Sequence, residues 1–191
     1  MKKGTLFVAS GPSGTGKTTL CRMVEERLKI PHSISYTTRP PRLNEVNGRD
    51  YHFVDDQTFD RMIEDEAFLE WAQVHDFRYG TPLAFVKEMT EKGSDLILDL
   101  DTQGALAVKR ADPQAVLIFI DAPDSKVLEE RLGKRGTEDY DRMKRRLARA
   151  ELERREKDKY DHRVINDDLE KAYQKMEALI LKTRSGRAST V

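Results

Sequence analysis

One cysteine, Cys21, stands alone among 191 residues, so no disulfide can close within the chain. No apolar run approaches the ~18 residues that a membrane-spanning helix needs, which sets that reading aside. Met1-Lys2-Lys3-Gly4 leads into a short apolar run that passes directly into glycines, without the apolar stretch and small-residue cleavage site of a secretory leader. Together these features point to a reducing cytoplasm. An excess of either charge is missing too. The 34 Lys/Arg balance the 34 Asp/Glu, so the sum calls for neither nucleic acid nor an anionic membrane as partner, and it leaves the oligomeric state open. The four histidines, His32, His52, His75 and His162, show no metal-ligand spacing and form no set with Cys21. They are read as structural, and Cys21 as a packing residue near the apolar face of a helix.

What is present is a charged, helix-rich chain long enough for one domain of roughly 100 to 200 residues. Charge is unevenly spread. Residues 1–50 hold nine Lys/Arg against four Asp/Glu, residues 51–76 one against eight, and residues 131–149 eight against three. Thr5 to Ala9 reads as a buried strand, and Lys17 to Leu28 as a helix with Leu20, Val24 and Leu28 on one face. Leu96–Leu100, Ala115–Ile120 and Val164-Ile165 are further apolar runs, each followed by turn or helix signals, the last helix reaching about Lys182. Strands alternating with helices predict a parallel sheet covered on both faces, an α/β fold. From Ser33 to about Gly93 the texture shifts to turns and aromatics, an excursion from that sheet. Gly133 to Asp141 is polar and reads as a flap, and Ser185 to Val191 as a frayed tail.

The strongest local signal is Gly11-Pro12-Ser13-Gly14-Thr15-Gly16-Lys17-Thr18, which fits G-x-x-x-x-G-K-S/T and lies between a strand and a helix. The glycines let backbone amides converge on phosphate oxygens, and the helix start adds its positive dipole end. Lys17 is expected on the β- and γ-phosphates and Thr18 on Mg²⁺ carried by ATP, with Thr19 completing the donor site. Asp99 and Asp101 follow an apolar strand two apart and share a side. Spacing does not divide their roles. The working assignment puts Asp101 with Thr18 at the metal and Asp99 toward the acceptor; the plain alternative is a strand-end aspartate capping the next helix.

From Leu6 to about Leu181 the sequence closely resembles guanylate kinases. The resemblance rests on GPSGTGKTTL (11–20), SYTTRPPR (35–42), GRDYHFV (48–54), FLEWAQVH (68–75), YGTP (79–82), DLDTQGA (99–105), RLGKRGT (131–137), RRL (145–147) and VINDDL (164–169), in family order. It implies the P-loop nucleoside monophosphate kinase fold: a CORE (1–33, 94–124, 157–191), a GMP-binding subdomain (34–93) and a helical LID (125–156). It further implies Mg-dependent transfer of the ATP γ-phosphoryl group to GMP or dGMP. By matching position Arg39, Arg42, Tyr51 and Tyr79 resemble the clamp on the GMP phosphate, where guanidinium forks and phenol hydroxyls suit a dianion. Ser35, Glu70 and Thr81 resemble the guanine readers. Arg131, Arg135 and Arg146 match the LID arginines, and Asn166 with Asp167 the loop that meets adenine.

The remaining basic residues of the LID helix, Lys144, Arg149, Arg154 and Arg155, are read as a solvated face. Asp76-Phe77-Arg78-Tyr79-Gly80 departs from the family's usual Gly-Asn-Tyr-Tyr-Gly, and Arg78 is expected to point to water. Two other functions fit part of the pattern. A non-catalytic guanylate-kinase-like binding module would typically lose the phosphate loop, intact here, and a P-loop kinase with another acceptor would be expected to lack the Thr37-Thr38-Arg39-Pro40-Pro41-Arg42, Glu70 and Thr81 set, all present here.

Overall fold

A computed structural model describes residues 2–74, 76–133 and 140–188. Its main sheet is parallel, with strands in the order β6-β1-β7-β8: β1 (Leu6–Ser10), β6 (Leu96–Asp99), β7 (Val116–Asp121) and β8 (His162–Ile165). These strands are the continuous apolar runs of the sequence because both faces are covered. Along β1, Phe7 and Ala9 face one side, where they pack with Leu20, Cys21 and Val24 of α1 (Lys17–Leu28) and Met176 and Ile180 of α7 (Leu169–Ala188). Leu6 and Val8 face the other, against Val86 of α3 (Leu83–Glu91) and Ala105 and Val108 of α4 (Thr102–Ala111). Cys21 is wholly buried there, as its packing role requires. No described helix is long and apolar enough to cross a membrane.

The excursion after α1 forms a second, mixed sheet, β3-β2-β5-β4, from β2 (Tyr36–Thr37), β3 (His52–Phe53), β4 (Phe68–Val74) and β5 (Phe77–Pro82). Helix α2 (Asp56–Glu64) lies along it, capped by Asp55, whose carboxylate accepts from the Thr58 amide at 2.7 Å. Arg78 does not point to water. It donates to Asp60 and, at 2.7 Å, to Asp56, with its guanidinium carbon 4.8 Å from the Phe59 ring centre, so it ties β5 to α2. Two acidic residues one helical turn apart offered this partner, and the fold brought them within reach.

Helices α5 (Ser125–Gly133) and α6 (Tyr140–Arg155) pack on each other through Leu128, Leu132, Leu147 and Ala150. The solvated-face reading holds for Lys144 and Arg155, which are exposed. It fails for Arg149, which lines a cavity at the strand C-termini, and for Arg154. The Arg154 Nε–H donates to Asp121 Oδ1 at 2.8 Å, and Arg163 donates to Oδ2 at 2.7 Å. Asp121, only 1% exposed, needs both partners. Most of the expected flap (residues 134–139), Arg135, His75 and the end of the tail (residues 189–191) lie outside the described residues. The tail before that is helical, since α7 runs past Lys182 to Ala188.

Strand β1 is the switch point: β6 lies on one side, β7 and β8 on the other, so the chain crosses over it. Ligands of open parallel sheets bind outside the strand C-termini at such a point. There Gly11 follows β1, Asp99 ends β6, Asp121 ends β7 and Asn166 follows β8. Asp121→Ala strands two arginines and frees the α6 end, so stability measured by urea unfolding should fall by about 3 kcal/mol; a loss below about 1 kcal/mol would show that the Asp121 pairs are dispensable.

Candidate active site

A cavity of about 270 Å³ opens at those strand ends between the two sheets and α6. Its floor is the glycine-rich turn, where Gly11, Ser13, Gly14, Gly16, Lys17, Thr18 and Thr19 line the space. Gly11 has φ 133° and its α-hydrogen side faces β7, where an added Cβ would lie 2.2 Å from the Ile120 carbonyl oxygen, so any side chain there would push the loop off the sheet. Helix α1 starts without a side-chain cap, leaving its first amides for an anion. The Lys17 ammonium donates to the Gly11 and Pro12 carbonyls at 2.7 and 3.0 Å. Thr15 closes the loop by donating to Pro12 O at 2.8 Å.

The Thr18 hydroxyl donates to Asp99 Oδ2, which joins the helix start to the end of β6. Asp101 does something else. Its Oδ1 caps α4 by accepting from the Gly104 amide at 2.8 Å, and its Oδ2 accepts from Arg149 at 3.1 Å. The capping role weighed from the sequence is therefore present, yet Asp101 still lines the cavity. Thr18 and Asp99, two hard oxygen donors beside a phosphate loop, suit Mg²⁺, which binds through one or two protein oxygens and completes its shell with phosphates and water.

The opposite wall comes from the second sheet. Glu70 on β4 is 8% exposed, and its Oε1 accepts from the Thr81 hydroxyl of β5 at 2.6 Å. Burial pushes its carboxyl up to about 7; the Thr81 hydrogen bond opposes this and Asp101 adds to it. Gly104 makes room for Glu70, because a Cβ there would sit 2.8 Å from Oε2. Ser35 lines the same end.

Between these walls stand Arg39, Arg42, Tyr51 and Tyr79. The two phenol rings meet edge to face, centres 5.8 Å apart. Arg39 is not a spare fork. Its two Nη groups donate to Glu45 at 2.9 Å each, Nη1 also to Pro40 O at 2.8 Å, and Nε to the Tyr79 hydroxyl at 3.2 Å. Glu45 also accepts from the Arg42 amide at 2.8 Å. Burial works against its charge, but Arg39 and the Arg42 amide hold the carboxyl below its usual range. Arg42's own side chain is more than half exposed, its Nη1 lies 4.0 Å from Glu45 Oε1 without a hydrogen bond, and it lines the cavity. Glu45 escaped notice in the sequence, where it is one acidic residue in a basic stretch; its place three residues after Arg42 was the available signal.

Helix α6 supplies the third wall through Arg146, Arg149 and Glu153. Among the described residues Arg131 is not in the cavity lining; it lies on α5. Asn166 and Asp167 also lie outside the lining. The buried Asn166 amide nitrogen donates to Thr15 O at 2.7 Å, and its Oδ1 has no partner among the described residues. It faces the back of the phosphate loop rather than solvent.

A family model described as Guanylate kinase matches residues 3–183. The chain is 46% identical to a guanylate kinase of Caldanaerobacter subterraneus over 94% of its length and 88% of that protein's. It is 48% identical to one from Syntrophomonas wolfei, covering 96% and 94%. The solved guanylate kinase of Anaplasma phagocytophilum superposes with TM-score 0.79 at 29% identity, over all of this chain and 89% of that one. A shikimate kinase from Bacteroides thetaiotaomicron, at 13% identity and TM-score 0.51, shares the fold alone.

The raised carboxyl of Glu70 makes a stability prediction. The folded chain keeps that proton between about 4.5 and about 7 while the unfolded chain has lost it, so stability falls as pH rises through this window. Glu70→Gln keeps an acceptor for Thr81 without the charge. At pH 8 it should be more stable than the parent by roughly 3 kcal/mol, the gap closing toward pH 4.5. Parallel urea curves at both pH values would contradict the raised carboxyl.

Proposed function

The chain belongs to the guanylate kinase family, and on that premise we propose that it binds Mg-ATP at the glycine-rich loop and GMP against the second sheet and moves the γ-phosphoryl group between them. The observation that carries the acceptor assignment is the buried Glu70–Thr81 pair. Guanine presents N1–H and N2–H donors on one edge, which a carboxylate accepts, and an O6 acceptor, which the Ser35 hydroxyl can serve while Thr81 keeps its one proton on Glu70. Adenine has no donor at N1 and carries an amino group in place of O6. Glu70 would then face a lone pair and stay buried without a partner, a cost of the kind that gives polar sites strong discrimination.

The working division of the two aspartates is better reversed. Asp99, which accepts from Thr18, is assigned to the metal side with Thr18, and Asp101, which adjoins Glu70 and Gly104, to the guanine side. When bound, Mg²⁺ would neutralise charge on the β- and γ-phosphates. Lys17 then exchanges its loop carbonyls for phosphate oxygens. On the acceptor side Arg42, with Tyr51 and Tyr79, holds the GMP phosphate; Arg39, already engaged by Glu45, orients Tyr79 and supplies positive charge from behind. No general base is needed. A phosphate monoester has its second pKa at about 6, so the attacking oxygen is already ionised near neutral pH. The work left is positioning two polyanions and stabilising spreading charge while water is excluded, which Arg146 serves from α6 and Arg131 and Arg135 would join as the LID closes.

In this scheme residues 34–93 form the acceptor unit, 125–156 the LID, and 1–33, 94–124 and 157–191 the CORE. Asn166, whose Oδ1 lacks a partner behind the loop, and Asp167 are assigned to the adenine end of ATP. The assigned compartment is the cytoplasm, and the small-molecule partners are ATP and GMP.

A coupled assay of ADP formation should give kcat/KM for GMP and dGMP at least ~100-fold above AMP, CMP and UMP; equal turnover of AMP would remove the guanine-reading role of Glu70. Because the Arg39 fork is occupied, the phosphate depends on Arg42. Arg42→Lys offers a point charge in place of a fork, so the KM for GMP should rise about tenfold with the KM for ATP unchanged. An unchanged GMP KM would show that Arg42 does not hold the acceptor phosphate.

A further inference from the structure

Arg149 is a cavity cation to which the family motifs give no role. It follows Arg146 by three residues on α6, so both guanidinium groups issue from one helical face, and both line the cavity. Two carboxylates hold it. Its Nε–H donates to Glu153 Oε1 at 3.0 Å and one Nη2–H to Asp101 Oδ2 at 3.1 Å. Glu153, one turn further along the same face, is largely buried. Desolvation raises its carboxyl, against the pull of Arg149 and Lys17, which puts it within the field of the phosphate-loop lysine.

An arginine has five N–H donors in a fixed fork. Two of Arg149's are engaged, and the other three have no partner among the described residues. One edge is gripped by carboxylates while the remainder lies in a cavity floored by the phosphate loop. Partly buried ion pairs of this kind contribute little net stability, because desolvation offsets attraction. They do fix a guanidinium in place before a ligand arrives, and donors fixed in advance need no reorganisation when charge develops.

We propose that Arg149 is a phosphate-contacting arginine of the transfer centre, held in position by Asp101 and Glu153 and donating from its open edge to a non-bridging oxygen of the transferring phosphoryl group. This rests on the guanylate kinase reading. Asp101 also adjoins the guanine end, so Arg149 joins α6 to the acceptor side when the site is empty. A closing α6 would then bring its cations in one body with the base pocket already in register.

The test is steady-state kinetics of Arg149→Gln and Arg149→Lys against the parent, with ATP and GMP each varied. For Arg149→Gln kcat should fall at least ~30-fold while both KM values stay within about threefold, the pattern of an interaction made in the transition state. Millimolar guanidinium ion should restore part of that rate without raising the parent's. Arg149→Lys keeps the charge and helix propensity but cannot span two carboxylates, so its kcat should fall about tenfold; it is the deciding variant if Arg149→Gln does not melt cooperatively. A kcat within threefold of the parent overturns the proposal. So does a loss confined to the KM for GMP, which would make Arg149 a prop for Asp101 alone. Parent turnover of GMP keeps the two readings apart: an inactive parent overturns both, and an active parent with unaffected variants overturns the Arg149 role only.

Discussion

A carboxylate buried at the closed end of the cavity, with one hydroxyl for company, is the constraint on which the rest of the site turns. Glu70 accepts from Thr81 and has no cation beside it among the described residues, and burial raises its carboxyl to about 7. Such a group is costly to keep charged unless a ligand brings donors to it. The local fold is arranged around that cost. Strands β4 and β5 pair Glu70 with Thr81, and α4 packs against the carboxylate through Gly104, where any side chain would collide with it. A base with two adjacent N–H donors relieves the strain of a half-satisfied carboxylate; one with a lone pair at that point does not. In the proposed function, acceptor identity is thus set by an unsatisfied group rather than by shape.

The cations of the site obey a complementary rule. A pocket for two polyanions must be positive when filled without repelling itself when empty. Two cavity arginines and a neighbour are backed by acids: Arg39 by Glu45, Arg149 by Asp101 and Glu153, and, outside the lining, Arg154 by Asp121. The same pairs link the parts of the fold. Arg149 joins α6 to the start of α4, and Arg154 joins the end of α6 to the end of β7. In the proposed scheme these pairs persist when phosphates arrive, so they hold both the cations and α6 in register for the ligand.

The framework was legible because its signals are local. Continuous apolar runs mark strands buried on both faces, and α1 has the bounds that its periodicity predicts. The glycine-rich turn carries its phosphate chemistry within eight residues. Ion pairs are different, since a charged residue in sequence looks the same whether it meets water or a partner from another element. Arg149 finds Asp101 48 positions away and Arg154 finds Asp121 33 away, partners that a helix-face pattern does not reveal. Arg78 is the same case, since α2 supplies its acids. Only the spacing of Arg146, Arg149 and Glu153 on one helical face hinted that α6 turns more than one cation inward. Asp99 and Asp101 are equivalent by alternation; the strand ends at Asp99, and Asp101 beyond it becomes a helix cap.

The central claim is that an ionised Glu70 reads the guanine edge, and proton release on GMP binding measures it most directly. At pH 7 a carboxyl with its midpoint near 7 is about half protonated in the empty site, and taking up N1–H and N2–H requires the charged form. Calorimetric titration of GMP in buffers of different ionisation enthalpy should therefore report release of about half a proton per GMP at pH 7, beyond the small share from the phosphate itself, and Glu70→Gln should abolish that excess. Equal proton release by the parent and the variant would contradict the account.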